Sequence, residues 1–170
     1  MEPTIAQGLG GFLAGGLLAS LAEYGIHILM HRRILLGRTH RNHHREPDGE
    51  TWFKQFAYYA LGAVLPLAAV GGASWAAGVP AVGAGVAAGV LAWAAWVAYA
   101  HTLQHERPEL VFWMPRPVHH LHHKHEMSRH NFGLSVDWWD RAFGTYKVMP
   151  WNPERPGRRS AWDLVRIRWF

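Results

Sequence analysis

Three long apolar stretches constrain the fold of this chain most strongly, because a lipid bilayer admits only helices and closed barrels. A spanning helix needs about 20 mostly apolar residues. The stretches cover about residues 5–30, 56–77 and 81–100. Pro66 lies inside the second, where neighbouring helices can satisfy the carbonyl that it frees. The sequence therefore predicts an all-α, integral membrane helical bundle of about three transmembrane helices.

The second and third spans are separated only by Gly78, Val79 and Pro80, so we expect a tight helical hairpin. The pairs Gly11-x3-Gly15 and Gly85-x3-Gly89 have the spacing that allows helices to approach closely in lipid. The first span has no charged leading region and continues directly into histidines. We therefore expect it to be a retained helix rather than a cleaved signal peptide.

The positive charges predict the orientation of the spans. All seventeen Lys and Arg lie in residues 32–54 or after residue 106. Positive loops stay on the cytoplasmic side, so three spans place both polar regions inside the cell. We expect a bacterial inner membrane protein with a cytosolic His-rich helical cap. No nucleic-acid-binding signature accompanies the net charge of +5, so a nucleic acid partner is not expected.

Ten of the thirteen histidines fall into four short clusters at helical spacings. Residues at i, i+3 and i+4 share one face of a helix, and the predicted topology brings every cluster to the cytoplasmic boundary. The chain has no cysteine, which excludes a thiolate metal site. Ten imidazoles are too many for one ion and suit a binuclear site with about five nitrogens for each metal. The predicted ligands are His27, His31, His40, His43, His44, His101, His105, His119, His122 and His123.

Other polar residues near these clusters are candidates for supporting roles. Glu23 lies four residues before His27 on the same helical stripe, and an acid within a span is costly and usually functional. We expect its carboxylate to orient a ligand imidazole. A solvated or supporting role is expected for the remaining histidines, His120, His125 and His130.

The order of the clusters resembles the fatty acid hydroxylase and sterol desaturase superfamily of integral-membrane di-iron enzymes. The resemblance covers roughly residues 20–147 and includes Asn131-Phe132-Gly133 and the stretch from Trp139 to Thr145. The family's ligand positions correspond to the ten histidines given above. Asn131 and Asp140 of the downstream motif are further candidates for supporting the ligands. Characterised relatives usually have four spans, whereas this sequence predicts three.

The resemblance implies a chemistry as well as a fold. Family members use dioxygen and external electrons to hydroxylate or desaturate lipid C–H bonds at two iron ions, which zinc can replace in purified protein. No catalytic residue beyond the metal ligands is expected. The substrate would be a fatty acyl or sterol-like lipid, and the electron donor a separate ferredoxin or b-type cytochrome. Carotenoid ring hydroxylases, which usually have His-x4-His as their first cluster, remain an alternative, and a homo-oligomer remains open.

Two alternatives outside oxygen chemistry remain. A zinc-dependent membrane hydrolase would need fewer protein ligands and an acid that acts as a base. A non-catalytic metal-binding or transport protein would place polar groups near the middle of the bilayer. The predicted site instead lies at one boundary, which favours the oxygenase.

We divide the chain into a membrane di-iron oxygenase domain over residues 1–149 and a basic, Pro/Trp-rich tail over 150–170. Ser160-x2-Asp163 resembles a helix-start signal. The sequence leaves open whether a short helix lies on the bilayer there or the terminus is frayed.

Overall fold

The computed structural model describes residues 3–45, 51–152 and 160–170. Within these ranges the chain is helical and contains no strand. Two short 3-10 helices, Pro108–Leu110 and Ala161–Val165, accompany six α-helices. The α-helices are α1 (Pro3–His31), α2 (Gly37–Arg45), α3 (Trp52–Ala76), α4 (Pro80–Glu106), α5 (Val118–Lys124) and α6 (Trp138–Ala142). The all-α prediction is confirmed.

Helices α1, α3 and α4 are long and apolar enough to cross a membrane, which confirms the three predicted spans. Two of them extend beyond the apolar stretches. Helix α3 begins at Trp52, because the Thr51 hydroxyl accepts a hydrogen bond from the Lys54 amide and caps the helix. Helix α4 continues to Glu106 and ends just before Pro108. Hydropathy therefore marks the apolar part of each span, whereas capping groups and proline set the helix ends.

The predicted hairpin joins α3 to α4. Gly78 has a φ of 72°, a left-handed conformation that suits glycine, and Pro80 occupies the first turn of α4. We call this side of the bundle the hairpin end. The opposite side, where α1 and α4 finish in histidines, is the histidine end.

Helix α4 packs against both other spans. Helices α1 and α4 are parallel and approach so closely that a Cβ on Gly15 would overlap the Val86 backbone. A Cβ on Gly89 would likewise overlap the Phe12 carbonyl. Gly11 and Gly85 are equally close to the facing helix. The predicted glycine packing is therefore present, and it fixes the depth of one histidine pair relative to the other.

The end of the chain docks against the histidine end. The Arg168 and Trp169 carbonyls accept hydrogen bonds from the Trp52 and Phe53 amides, at 2.9 and 3.0 Å. These are amides of the first turn of α3, which have no partner within their own helix. Ile167 is buried in a cluster with Leu103 and Leu110.

The predicted helix start at Ser160 is also present. Ser160 and Asp163 cap each other's backbone amides in a reciprocal box, although the helix that follows is a 3-10 helix. The terminus is ordered by these contacts rather than frayed. The proline-rich part of the predicted tail, residues 153–159, lies outside the described residues.

Candidate metal centre

Five histidines from three helices form a first group at the histidine end. One ring nitrogen from each lies within 4.8 Å of the corresponding nitrogen of every other member. We call this set group one; it contains His27 and His31 of α1, His40 and His44 of α2, and His122 of α5.

Four more histidines form group two under the same distance limit. It contains His43 of α2, His101 and His105 of α4, and His119 of α5. His123 lies beside this group, with its ring centroid 4.6 Å from those of His105 and His119. It also stacks on His44 of group one, with ring centroids 3.9 Å apart. All ten predicted ligands are therefore gathered in two adjoining groups.

The short helices α2 and α5 are shared between the groups. Helix α2 directs His40 and His44, four residues apart, into group one and His43 into group two. Helix α5 directs His122 into group one and His119 into group two. Each short helix thus presents histidines on two sides, whereas α1 and α4 each contribute a single pair.

Backbone carbonyls fix the tautomers of two histidines in group one. His27 Nδ1 lies 2.6 Å from the Phe132 carbonyl, and His122 Nδ1 lies 2.8 Å from the His130 carbonyl. A carbonyl only accepts, so both Nδ1 atoms carry the proton and both Nε2 atoms present a lone pair. Those Nε2 atoms face other imidazole nitrogens. His27 Nε2 lies 3.2 Å from His40 Nε2, and His122 Nε2 lies 2.8 Å from His31 Nε2. The rings converge as ligands around a cation do.

Group two and its neighbour contain buried ring nitrogens that nothing in the described ranges satisfies. His43 and His123 each have both nitrogens buried without a hydrogen-bond partner among these residues. An unsatisfied buried polar atom costs roughly 1–3 kcal/mol, and a bound metal ion would remove that cost. The donor set is entirely imidazole, which suits iron, zinc, copper or nickel. The residues therefore fit a transition-metal centre.

Burial keeps the imidazoles of the short helices neutral. It lowers the pKa of His43 to about 4, and, together with the nearby His43, it lowers the pKa of His44 to about 4. Burial also lowers the pKa of His122 to about 3. Neutral imidazole is the form that binds a metal ion, so these rings are ready for coordination near pH 7.

The segment 131–135 orients the His27 ring through its backbone, and two carboxylates hold it in place. Asp140 accepts from the amides of Phe132 and Gly133, both at 2.8 Å. Glu23 accepts from the next two amides, those of Leu134 and Ser135, at 2.9 and 2.8 Å. Four successive amides are therefore bound to carboxylates, and the Phe132 carbonyl among them is the partner of His27.

Glu23 is placed differently from our expectation that it would orient a ligand imidazole. Among the described residues its carboxylate hydrogen-bonds to Leu134, Ser135 and the Trp93 indole, and to no histidine. The stripe that Glu23 shares with His27 runs along α1, but its carboxylate is bound to the Trp93 indole and to the 134–135 backbone. Its influence on His27 passes through the backbone of the segment.

Asn131 supports the same segment from its first residue. Its φ of 59° is a left-handed conformation that asparagine tolerates better than most residues. Its amide side chain donates to the Lys147 carbonyl and accepts from the Lys147 amide, at 3.0 and 2.8 Å. Asn131 therefore connects the start of the segment to the stretch of chain that follows α6.

The histidines outside the predicted ligand set also lie outside both groups. The ring of His120 packs on Trp151 with centroids 5.4 Å apart, and His125 is exposed. His130 acts through its carbonyl, which accepts from His122. None of the three rings faces the centre formed by the ten.

Sequence reasoning missed two glutamines that support group two. The Gln55 side-chain carbonyl accepts from His101 Nδ1, and its amide donates to Thr102. Gln104 accepts from the His119 amide at 2.9 Å and donates to the Leu134 carbonyl. Both glutamines are buried. An uncharged amide next to an apolar span was the available signal, because such a group needs a partner if it is buried.

A comparison with protein families decides the relationship that this geometry suggests. The family described as fatty acid hydroxylase matches residues 12–145, which include all ten clustered histidines. The chain belongs to the fatty acid hydroxylase family. The superfamily resemblance of the sequence is thereby confirmed, and the chain is a membrane protein of a metal-binding hydroxylase family. No curated protein and no solved structure gives a significant match to the chain.

Proposed function

We propose that this fatty acid hydroxylase family member is a membrane-bound di-iron oxygenase. It would hydroxylate or desaturate a C–H bond of a fatty acyl or sterol-like lipid, with dioxygen and with electrons from a separate carrier. The observation that carries the proposal is the convergence of ten imidazoles in two adjoining groups. We assign as ligands His27, His31, His40, His44 and His122 to one ion and His43, His101, His105, His119 and His123 to the other.

The residues of the chain would hold the ions rather than transfer protons. Five nitrogens leave an octahedral ion one open position, and two bound iron ions would supply the activation of dioxygen. The Phe132 and His130 carbonyls keep the Nδ1 protons of His27 and His122 directed away from the ions. Glu23, Asn131 and Asp140 would support these ligands by fixing the 131–135 backbone.

The absence of a free acid at the centre favours the oxygenase over a zinc hydrolase. In the described part of the chain neither histidine group includes a carboxylate. The two acids that hold the 131–135 segment, Glu23 and Asp140, are bound to backbone amides. A hydrolase would need one of them as a base for a metal-bound water.

The charge pattern supports a location in a bacterial inner membrane with the histidine end in the cytoplasm. Every Lys and Arg lies in residues 32–54 or after residue 106, the polar regions that the predicted topology assigns to that side. A basic cytoplasmic face would also favour an acidic electron carrier, such as a ferredoxin or a b-type cytochrome. The carotenoid ring hydroxylase remains the alternative on substrate, and the homo-oligomer remains open.

Lipid mass spectrometry of a host with and without the gene tests the proposal. A gain of one oxygen in a host lipid indicates hydroxylation, and a loss of two hydrogens indicates desaturation. We expect His122→Ala to abolish the product, because His122 belongs to group one. The matched control is His125→Ala, since His125 is exposed and lies outside both groups. Equal product from both variants would contradict the ligand assignment.

A further inference from the structure

The segment 132–146, which we call the return segment, turns back along the spans instead of staying beyond the histidine end. The Trp139 indole donates to the Ser20 hydroxyl at 3.0 Å. The Tyr24 and Thr145 hydroxyls are 2.8 Å apart. Ser20 and Tyr24 precede the first ligand of α1, so the return segment reaches towards the hairpin end.

The Ser20 contact and the approach of the return segment to Trp93 lie at the depth of the bilayer. About 20 residues cross the hydrocarbon core, so a span that starts at Pro3 extends to about residue 22, and one that starts at Pro80 to about residue 99. Ser20 lies within the membrane-crossing part of the first span. Trp93 lies six residues, or about 9 Å, before the end of that part of the span that starts at Pro80, and its ring is 5.8 Å from that of Trp138.

The first four residues of the return segment have paired backbone amides, as irregular backbone at membrane depth requires. No water is available there, so non-helical chain is tolerated only where protein groups pair its polar atoms. Glu23 and Asp140 bind the four amides from Phe132 to Ser135. The Ser135 carbonyl accepts from the Trp113 indole at 2.7 Å. This dense pairing gives the acid inside α1 a physical role.

The outward side of the return segment is mainly apolar and aromatic, and its exposed charged residue, Arg141, is paired with Asp137 at 2.7 Å and packs on the Tyr146 ring. Trp138 is 46% exposed and Phe143 is 58% exposed. Phe112, on the neighbouring loop, is 75% exposed. Phe143 stacks on Tyr24 of α1, where Leu17 is also exposed, so these aromatic side chains continue the lipid-facing surface of that span. In water such a surface would be an unfavourable apolar patch.

A cavity of about 310 Å³ lies between the return segment and α4. Four indoles line most of it, those of Trp93, Trp96, Trp113 and Trp138. Met114, Val136 and Asp137 complete the lining, and the Asp137 carboxylate is paired with Arg141. The Trp93 and Trp113 N–H groups are bound to Glu23 and to the Ser135 carbonyl, so the indoles keep their apolar parts for a ligand. Such a cavity suits the apolar body of a lipid better than a hydrated group.

We propose that the return segment is inserted into the leaflet on the histidine side, where Trp138, Phe143 and Phe112 contact acyl chains. The indole cavity then opens to lipid and receives an apolar lipid portion laterally. The insertion stands on the contacts and exposures above. Only the identification of the cavity's occupant with the substrate rests on the proposed function.

Site-directed nitroxide labelling tests the insertion, because the chain has no cysteine and each introduced one is unique. The variants Trp138→Cys and Phe143→Cys are labelled in lipid nanodiscs, and the collision rates of the label with oxygen and with a water-soluble nickel chelate are compared. Leu65→Cys, at an 81% exposed position in the middle of α3, is the lipid control. Ser128→Cys, exposed in the loop after α5, is the water control.

We expect the ratio of oxygen to nickel collisions at both positions to match Leu65 and to exceed that at Ser128 several-fold. Ratios nearer to Ser128 would overturn the insertion. Thermal unfolding of each variant verifies the fold, and Ala142→Cys, exposed on the same helix, replaces a variant that does not fold. The label reports depth without any catalytic turnover. A label exposed to water would therefore contradict the insertion but not the proposed function, and an inactive protein would contradict the proposed function but not the insertion.

Discussion

At the scale of the residue, the centre depends on which ring nitrogen carries a proton. The carbonyls of His130 and Phe132 select the Nδ1–H form of two ligands, and the Gln55 side chain does the same for His101. Groups that hold the distal nitrogen of a metal-binding imidazole fix its orientation and raise its basicity. Substitutions that remove or displace these acceptors are therefore expected to change metal binding, even though none of the acceptors would touch an ion.

Asp140→Asn is expected to lower both stability and metal content. The asparagine loses the charge that binds the Phe132 and Gly133 amides, and hydrogen bonds to charged groups contribute about 1.5–3 kcal/mol. Thermal unfolding and iron content measure the two effects. Glu126→Gln is the control, because Glu126 is exposed in the turn after α5 and exposed charges contribute at most about 1 kcal/mol. Equal effects of the two substitutions would contradict the role given to Asp140.

Gln55→Leu is expected to weaken metal binding by about 10- to 100-fold, because it leaves His101 Nδ1 without its acceptor. A metal competition titration with a chelator measures the change in affinity. Lys54→Ala, at an exposed neighbouring position, should bind as the unchanged protein does. An unaltered affinity in Gln55→Leu would show that His101 does not depend on this glutamine.

At the scale of the element, the packing of α1 on α4 sets the distance between the histidine pairs of the two helices. The glycines let the helices approach until their backbones touch. The short helices α2 and α5 then contribute histidines to both groups. Precision at the centre therefore depends on contacts far along the spans.

Gly89→Ala is expected to destabilise the bundle by about 1–3 kcal/mol, because its Cβ would meet the Phe12 carbonyl and separate the helices. Gly62→Ala is the control, since no described atom lies within 4 Å of the Cβ it would add on α3. That variant should be neutral or more stable by up to about 1 kcal/mol, because alanine favours a helix over glycine. Unfolding in mixed detergent micelles measures both. Equal destabilisation would exclude close packing at Gly89 as the cause.

At the scale of the whole molecule, the metal-free protein is a cage of neutral imidazoles that acid should open. The folded pKa values of His43 and His44 are about 4 and that of His122 is about 3, whereas an unfolded histidine titrates near 6.5. Between these pKa values the unfolded chain binds more protons than the folded one. The free energy of unfolding is therefore highest above about pH 6.5 and decreases as the pH falls from about 6.5 towards the folded pKa values.

The thermal unfolding midpoint of the metal-free protein, measured from pH 8 to pH 5, tests this expectation. We expect a constant midpoint down to about pH 6.5 and a steady decrease below it. Simultaneous replacement of His43 and His44 by glutamine should reduce the slope, because two of the titrating groups are removed. A midpoint that does not change with pH would contradict the burial of neutral rings.

Much of the fold and the convergence of the histidines could be predicted from the sequence, because hydropathy, charge and helical spacing are local signals. The assignment of the adjacent His43 and His44 to different groups could not be predicted. It depends on where the nine-residue helix α2 lies relative to the two spans. The partners of Glu23 and Gln55 were also out of reach. They lie 111 and 46 residues away, and no periodicity relates such distant positions.

The parallel pairing of α1 with α4 has a consequence for synthesis. Gly15 and Val86, which touch in the finished protein, are separated by 71 positions (86 − 15). At roughly 5–20 residues per second, a ribosome needs about 4–14 s to make the second after the first. During that interval the nascent first helix displays an unpaired small-residue groove in the lipid, where another newly made copy can dock. Rapid delivery of the later helix by the insertion machinery would therefore protect the yield of monomeric chain.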